Sequence, residues 1–222
     1  MPATLAYLCS MKKILVFGAT GLAGSQIVAE SLKAEHQVTA YIRQETYPLQ
    51  HQNLHIVKGN LEDENAIQKA MEGQEVIVSA VGNMNLEDST MVVTPLVKRI
   101  LAYLKPTQRL IILLGSGSLL HDFKTMRRDL PNQSAMFQYP RADHWETLIS
   151  VSPLDVDYTF VCPPQIKAGE ADGNYNTQKL YFPADSQAFI TAGNIGQFVA
   201  NEIEKQIFLR TRVGIATKNK QL

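Results

Sequence analysis

Three glycines spaced three apart, Gly18, Gly21 and Gly24, stand where an apolar run ends and a helical pattern begins. That arrangement suits a phosphate. A phosphate needs backbone N–H donors close by and the positive end of a helix pointed at it, and side chains larger than hydrogen block its approach. Gly18 would allow the tight turn off the strand, Gly21 the approach of a diphosphate, and Gly24 the close packing of helix on sheet. The spacing is G-x-x-G-x-x-G rather than G-x-G-x-x-G, but its context is the required one: strand before, helix after, opening a βαβ pattern. The loop, with Thr20, Leu22 and Ala23 beside the glycines, reads as a dinucleotide-binding turn. The alternative is a tight turn that binds nothing.

Arg43 bears on which dinucleotide. It ends the second strand pattern, where an acidic residue would bond the ribose 2′-OH of NAD and an Arg would pair with the 2′-phosphate of NADP. No Asp or Glu lies between Val38 and Gln44, which predicts NADP in preference to NAD, although Glu45 follows closely. The alternative is an Arg simply solvated at a strand end.

These residues need a sheet to position them. Strand patterns run over 13–17, 37–42, 54–58, 75–80, 110–114, 157–162 and 212–216, and helical ones over about 22–33, 62–71, 91–104, 141–150 and 192–206. Pro106 ends the third helix, Pro163-Pro164 stop the sixth strand, and Thr191 is a plausible N-cap. Residues 121–138 read as a polar excursion over the surface, and 169–185 as irregular turns with a short strand. Continuous apolar strands alternating with helices predict an α/β, doubly wound parallel sheet of the Rossmann type, with a short irregular C-terminal portion on the substrate side. Ligands in such sheets sit outside the carboxyl ends of the strands. Those ends supply residues 18–24, Arg43, residues 59–61, residues 80–82, Ser116 and residues 163–165, six separated segments that the fold would bring to one rim.

The 222 residues suffice for one domain with a single core. Lys plus Arg equals Asp plus Glu at 21 each, which argues against a nucleic-acid surface. The two cysteines, Cys9 and Cys162, make neither a metal pattern nor a disulfide framework, and no apolar run reaches membrane-spanning length. Residues 1–10 precede Met11-Lys12-Lys13, so their charge follows the apolar part instead of leading it, unlike a signal peptide. They read as an extension with no role in the fold, with 11–222 a single dinucleotide-binding domain. The expectation is a cytoplasmic monomer or homodimer with no metal, membrane or nucleic-acid partner.

These motifs together resemble the atypical short-chain dehydrogenases/reductases, and more narrowly their NmrA-like and biliverdin-IX-beta/flavin reductase branch. The resemblance rests on G-A-T-G-L-A-G at 18–24, Y-I-R at 41–43, G-N-L at 59–61, S-A-V-G at 79–82, G-S-G at 115–117, D-Y-T-F-V-C-P-P at 157–164 and N-I-G at 194–196. It covers nearly the whole chain from Met11. It implies that Asn60 and Leu61 lie near the adenine, with Asn60 where the family usually has Asp. Ala80, Val81 and Gly82 would pass close to the ribose and diphosphate, and Pro163 and Gln165 would also border the cofactor. Ser116 would be the catalytic residue, bonding the substrate carbonyl or the nicotinamide amide; otherwise its hydroxyl merely caps a turn.

Family members with a Tyr acid place Lys four residues later, where it lowers the phenol pKa. Here Asp143 follows Tyr139 at that distance, so the pair is absent, and Tyr139 reads as a surface or pocket-lining residue more than as a proton donor. His121 and Tyr175, in the loops expected to roof the pocket, are candidate substrate contacts. Trp145 reads as core and His144 as solvated. The implied activity is NADP-dependent hydride transfer to a flavin, quinone or similar planar acceptor, which can take its proton from solvent. Rival readings are a non-catalytic NADP-binding regulator and a sugar-nucleotide epimerase or dehydratase, the latter disfavoured by the short C-terminal part.

Overall fold

The apolar strands all pair in parallel, and their alternation places successive side chains on opposite faces of one sheet. A computed structural model describes residues 11–83, 85–131 and 133–220; the expected extension, residues 1–10, lies outside them. The elements in order are β1 (Lys13–Phe17), α1 (Leu22–Lys33), β2 (Gln37–Ile42), β3 (Leu54–Lys58), α2 (Glu64–Met71), β4 (Val76–Ser79), α3 (Val93–Tyr103), β5 (Arg109–Leu113), α4 (Gln138–Val151), β6 (Asp157–Cys162), β7 (Gln165–Lys167), β8 (Tyr175–Lys179), β9 (Phe189–Thr191), α5 (Ala192–Lys205) and β10 (Thr211–Thr217). The main sheet has the order β3-β2-β1-β4-β5-β6-β10-β8. Every pairing in it is parallel except β10 with the edge strand β8. This is the doubly wound sheet expected, reversing direction between β1 and β4.

Ile14 and Val16 of β1 enter the core under α1 and α5, with Ile27, Val28, Ile195 and Val199. Leu15 and Phe17 enter the other core, under α2, α3 and α4, with Ile67, Leu96, Ile100 and Leu148. Both faces are therefore covered, as a parallel sheet requires. At the amino end, Arg109 of β5 reaches Glu202 of α5 at 2.5 Å and the Thr159 hydroxyl at 2.8 Å, all buried. A cleft of about 270 Å³ also lies at that end, lined by Lys13, Gln37 and Gln74 among others. It is at the opposite end from the ligand rim.

The differences from the sequence reading have local causes. Helix α2 starts at Glu64, not 62, because the Asp63 side chain caps it by accepting from the Ala66 N–H at 3.0 Å. Helix α4 starts at Gln138, not 141, continuing a 3-10 turn over Ala135–Phe137. Pro140 falls in its first turn, where the missing N–H has no intrahelical partner to lose. Strands β7 and β9 carry no periodic signal; they are three residues each and pair only with one another. Thr191 does cap α5, accepting from the Asn194 N–H at 3.3 Å.

Candidate functional site

The glycine loop links β1 to α1, and each glycine has its own reason to be there. Gly18 has φ of 78°, and a Cβ on it would lie 2.7 Å from the Ala80 carbonyl oxygen beyond β4. A Cβ on Gly24 would fall 2.0 Å from the Gly18 carbonyl oxygen, so the first turn of α1 lies directly on the loop. Gly21 is different: its Cβ would meet only that carbonyl, at 3.2 Å, and the space beyond is open. Gly21 is also the N-cap of α1, with no side-chain cap and no acidic residue in the first turn. The end of α1 thus keeps its positive dipole and unpaired N–H groups directed at a space only glycine leaves empty, which fits a diphosphate.

The segment after β2 is tied to this loop. The Tyr47 hydroxyl donates to the Ala19 carbonyl at 3.1 Å, and the Gln44 amide to the Thr20 hydroxyl at 3.4 Å. Arg43 therefore stands exposed beside the glycine loop. Glu45, the acidic neighbour, pairs with Lys58 at 2.5 Å. Beyond β3, the Asn60 backbone carbonyl accepts from the buried Tyr41 hydroxyl at 2.9 Å, while its side-chain oxygen accepts from the Glu62 N–H at 3.2 Å. Asn60 is exposed. Leu61 and Val81 pack against the core under α2 and α3, and Gly82 is exposed.

Ser116 opens a 3-10 turn over Ser116–Ser118 directly after β5. Its N–H donates to the Pro163 carbonyl at 2.8 Å, joining the ends of β5 and β6. Pro163 is buried and Gln165 exposed on β7. Three contacts join rim segments in pairs: the glycine loop with 80–81, Thr20 with Gln44, and Ser116 with Pro163.

Helix α4 lies beneath Ser116 and departs from expectation at His144. His144 is not solvated. Its ring sits half-buried under the serine turn, with Nδ1 3.2 Å from where a Gly115 Cβ would be, and desolvation lowers its pKa to about 4. Asp143 does not act on Tyr139. Its buried carboxylate accepts from the N–H groups of Val92 at 2.8 Å, Val93 at 2.9 Å and Thr94 at 2.8 Å, capping α3. Tyr139 is half-buried in the first turn of α4.

The two loop candidates separate. His121 is exposed on a turn whose N–H donates to the Thr125 carbonyl at 2.8 Å. Tyr175 packs edge-on against Phe198 of α5, with ring centroids 6.3 Å apart, and belongs to the core under α1 and α5. A loop position in sequence could not say which face its ring would join. Residues passed over as surface polar do matter to the rim: Arg127 and Arg128, in a 3-10 turn over Arg127–Asp129, pack against the serine turn, and the Arg127 N–H donates to the Leu119 carbonyl at 2.9 Å. Two adjacent arginines beside a Gly-Ser loop were the available signal. Among the described residues, no group of three or more His, Cys, Asp or Glu is placed to hold a metal ion, and no helix is long and apolar enough to cross a membrane.

Known proteins share this architecture. A Streptococcus pneumoniae protein provisionally named an NADH-flavin reductase superposes with a TM-score of 0.83 at 25% identity, over 93% of this chain and 100% of its own. The uncharacterized YwnB of Bacillus subtilis is 26% identical over 201 residues, 86% of this chain and 92% of that protein. The isoflavone reductase homolog P3 of Arabidopsis thaliana is 33% identical over 92 residues. The chain spans only about 30% of the length of that plant relative. Residues 18–206, from the first glycine of the phosphate loop through α5, match the family described as NAD(P)H-binding. With its glycine loop and sheet order in place, the chain belongs to that NAD(P)H-binding family.

Proposed function

We propose that the protein is an NADPH-dependent reductase acting on a flavin, quinone or similarly planar acceptor. The observation that carries this is a phosphate cradle leading to a rim with Ser116 and a neutral His144 but with Asp143, turned away into α3, where a Tyr–Lys acid would need its lysine. When bound, a reduced nicotinamide dinucleotide supplies a hydride. Gly21 and the N-terminus of α1 would hold the diphosphate, and Arg43 would pair with a 2′-phosphate. The Ser116 hydroxyl orients a carbonyl at the acceptor end. No side chain of α4 is arranged as a phenol–lysine acid, so an acceptor ring that takes its proton from water suits this rim best. The name of the pneumococcal relative supports a flavin acceptor. That name specifies NADH; the exposed Arg43, with Glu45 engaged by Lys58, favours NADPH here.

The test is oxidation of NADPH and NADH against FMN, riboflavin, menadione and biliverdin. The expected result is turnover with at least one of these and a preference for NADPH. Tight dinucleotide binding with no turnover of any of them would replace this reading with that of a dinucleotide-sensing regulator.

A further inference from the structure

Two arginines beside Ser116 are half-sunk without adequate partners. The Arg127 guanidinium lies over the Phe182 ring, 4.5 Å from its centroid, and that of Arg128 over Trp145 at 4.8 Å. Both carry a buried N–H group with no hydrogen-bond partner, Nε of Arg127 and Nη1 of Arg128. Among the described residues, the only carboxylate paired with either is Asp129, 3.6 Å from Arg128 Nε. Burial pushes Arg127 below the ordinary arginine range. Buried donors are nearly always satisfied, and a desolvated cation left without an anion is costly. The aromatic rings hold both guanidinium planes in place, so each fork is pre-set before anything binds.

Their position identifies what they await. A Cβ on Gly117, next to Ser116, would lie 3.7 Å from Arg128 Cβ and 3.5 Å from Arg141 Cγ. The pair therefore borders the acceptor end of the rim. Arg43 and the phosphate loop belong to the other half of the sheet, after β2 and β1, so these arginines are not placed for the dinucleotide phosphates. Granting the reductase activity proposed above, on which this rests, we infer that Arg127 and Arg128 form an oxyanion subsite for the acceptor, so that the preferred acceptor is a planar ring bearing a phosphate or carboxylate. Guanidinium forks match either group bidentately.

FMN and riboflavin differ only in a phosphate and make the test. Binding of each is measured by quenching of flavin fluorescence with NADP⁺ present, for the wild type, Arg127→Met/Arg128→Met and Arg127→Lys/Arg128→Lys. The wild type should bind FMN roughly 10- to 150-fold more tightly than riboflavin. The Met pair should lose that preference, the Lys pair should keep part of it, and NADPH affinity should stay within about two-fold. Competition by inorganic phosphate against benzoate separates a phosphate preference from a carboxylate one. Met retains the apolar stem over Phe182 and Trp145 and removes the unpartnered donors, so the Met pair should melt no lower than the wild type without ligand. A lower melting temperature with the FMN preference retained would make the arginines structural and overturn the subsite. Equal wild-type affinity for the two flavins would overturn it while leaving the reductase standing. A parallel loss of NADPH affinity would reassign the arginines to the dinucleotide and overturn it too. Failure to bind or reduce either flavin would remove both the flavin reductase reading and the subsite built on it.

Discussion

Placing a valine at position 21 separates the two jobs of the glycine loop. The backbone at Gly21 is extended, with φ of −77° and ψ of 168°, which a β-branched residue adopts without strain. A Cβ there meets only the Gly18 carbonyl, at 3.2 Å, so the folded loop has to give by a few tenths of an ångström. Losing glycine at an N-cap that has no side-chain bond costs on the order of 1 kcal/mol, or about 2–4 °C in melting temperature for a chain of this size. The diphosphate, however, must occupy the space the valine fills. Loss of one or two charge-assisted contacts of about 1.5–3 kcal/mol each weakens NADPH by more than 10-fold and up to about 20,000-fold. Gly24→Ala is the contrasting variant. Its Cβ falls 2.0 Å from a backbone oxygen that no side-chain rotation can relieve, so α1 must lift from the loop. Overpacking of that kind costs about 1–3 kcal/mol or more, so both stability and binding should fall. Isothermal titration calorimetry with NADPH, paired with thermal melts, checks both. Unaltered NADPH affinity in Gly21→Val would refute the assignment of this loop to the diphosphate, whatever its melting temperature.

Four further outcomes are expected. Arg43→Ala should weaken NADPH by about 10- to 150-fold and leave NADH nearly unchanged in calorimetry, and equal effects on both would dismiss NADP preference. In steady-state assays with the best acceptor, Ser116→Ala should lower kcat/KM on the order of 100-fold while Tyr139→Phe stays within a few-fold; the reverse order would point to phenol acid chemistry. The His144 pKa is near 4 folded and near 6.5 unfolded, so the unfolded chain binds the extra proton between those values. Its contribution, about 3 kcal/mol, is present above pH ~6.5 and lost as pH falls toward 4, and urea midpoints across this range should slope less steeply in His144→Gln. Asp143→Asn leaves an amide N–H₂ facing backbone donors of α3, so it should cost about 2–3 kcal/mol and lower the melting temperature by roughly 5–10 °C, measured by circular dichroism.

The parallel sheet was legible because its strands are continuous apolar runs, a pattern that arises when both faces are covered. Strands β1, β2, β3 and β6 lie where their apolar runs predict. Gly18 and Gly24 were legible for the same reason, since a loop so tightly backed by Ala80 and by its own helix has little choice of residue. What stayed hidden depends on contacts distant in sequence. Nothing around Asp143 signals that its carboxylate reaches α3, about fifty residues away, and helical spacing alone invites pairing it with Tyr139. His144 follows it on α4 and looks solvated until Gly115 is seen to lie over its ring. Tyr175 sits among turn residues, and only its pairing opposite Thr217 of β10 turns its ring toward α5. Strands β7 and β9 exist because each finds the other, which no local pattern encodes.

The capping of α3 by Asp143 also closes an engineering route. Grafting a phenol–lysine acid onto this scaffold looks like a single exchange, lysine at 143. The ammonium would then be trapped among three backbone donors at the positive end of a helix, beside the Thr94 and Thr147 hydroxyls that bond one another at 2.8 Å. Like charges would meet where a carboxylate now joins two helices, and α3 would detach from α4 before any proton was delivered. A redesign for carbonyl or alcohol substrates on this fold must therefore import its acid from outside α4. The turn over Arg127–Asp129, which packs against the Ser116 turn, is the place to build it.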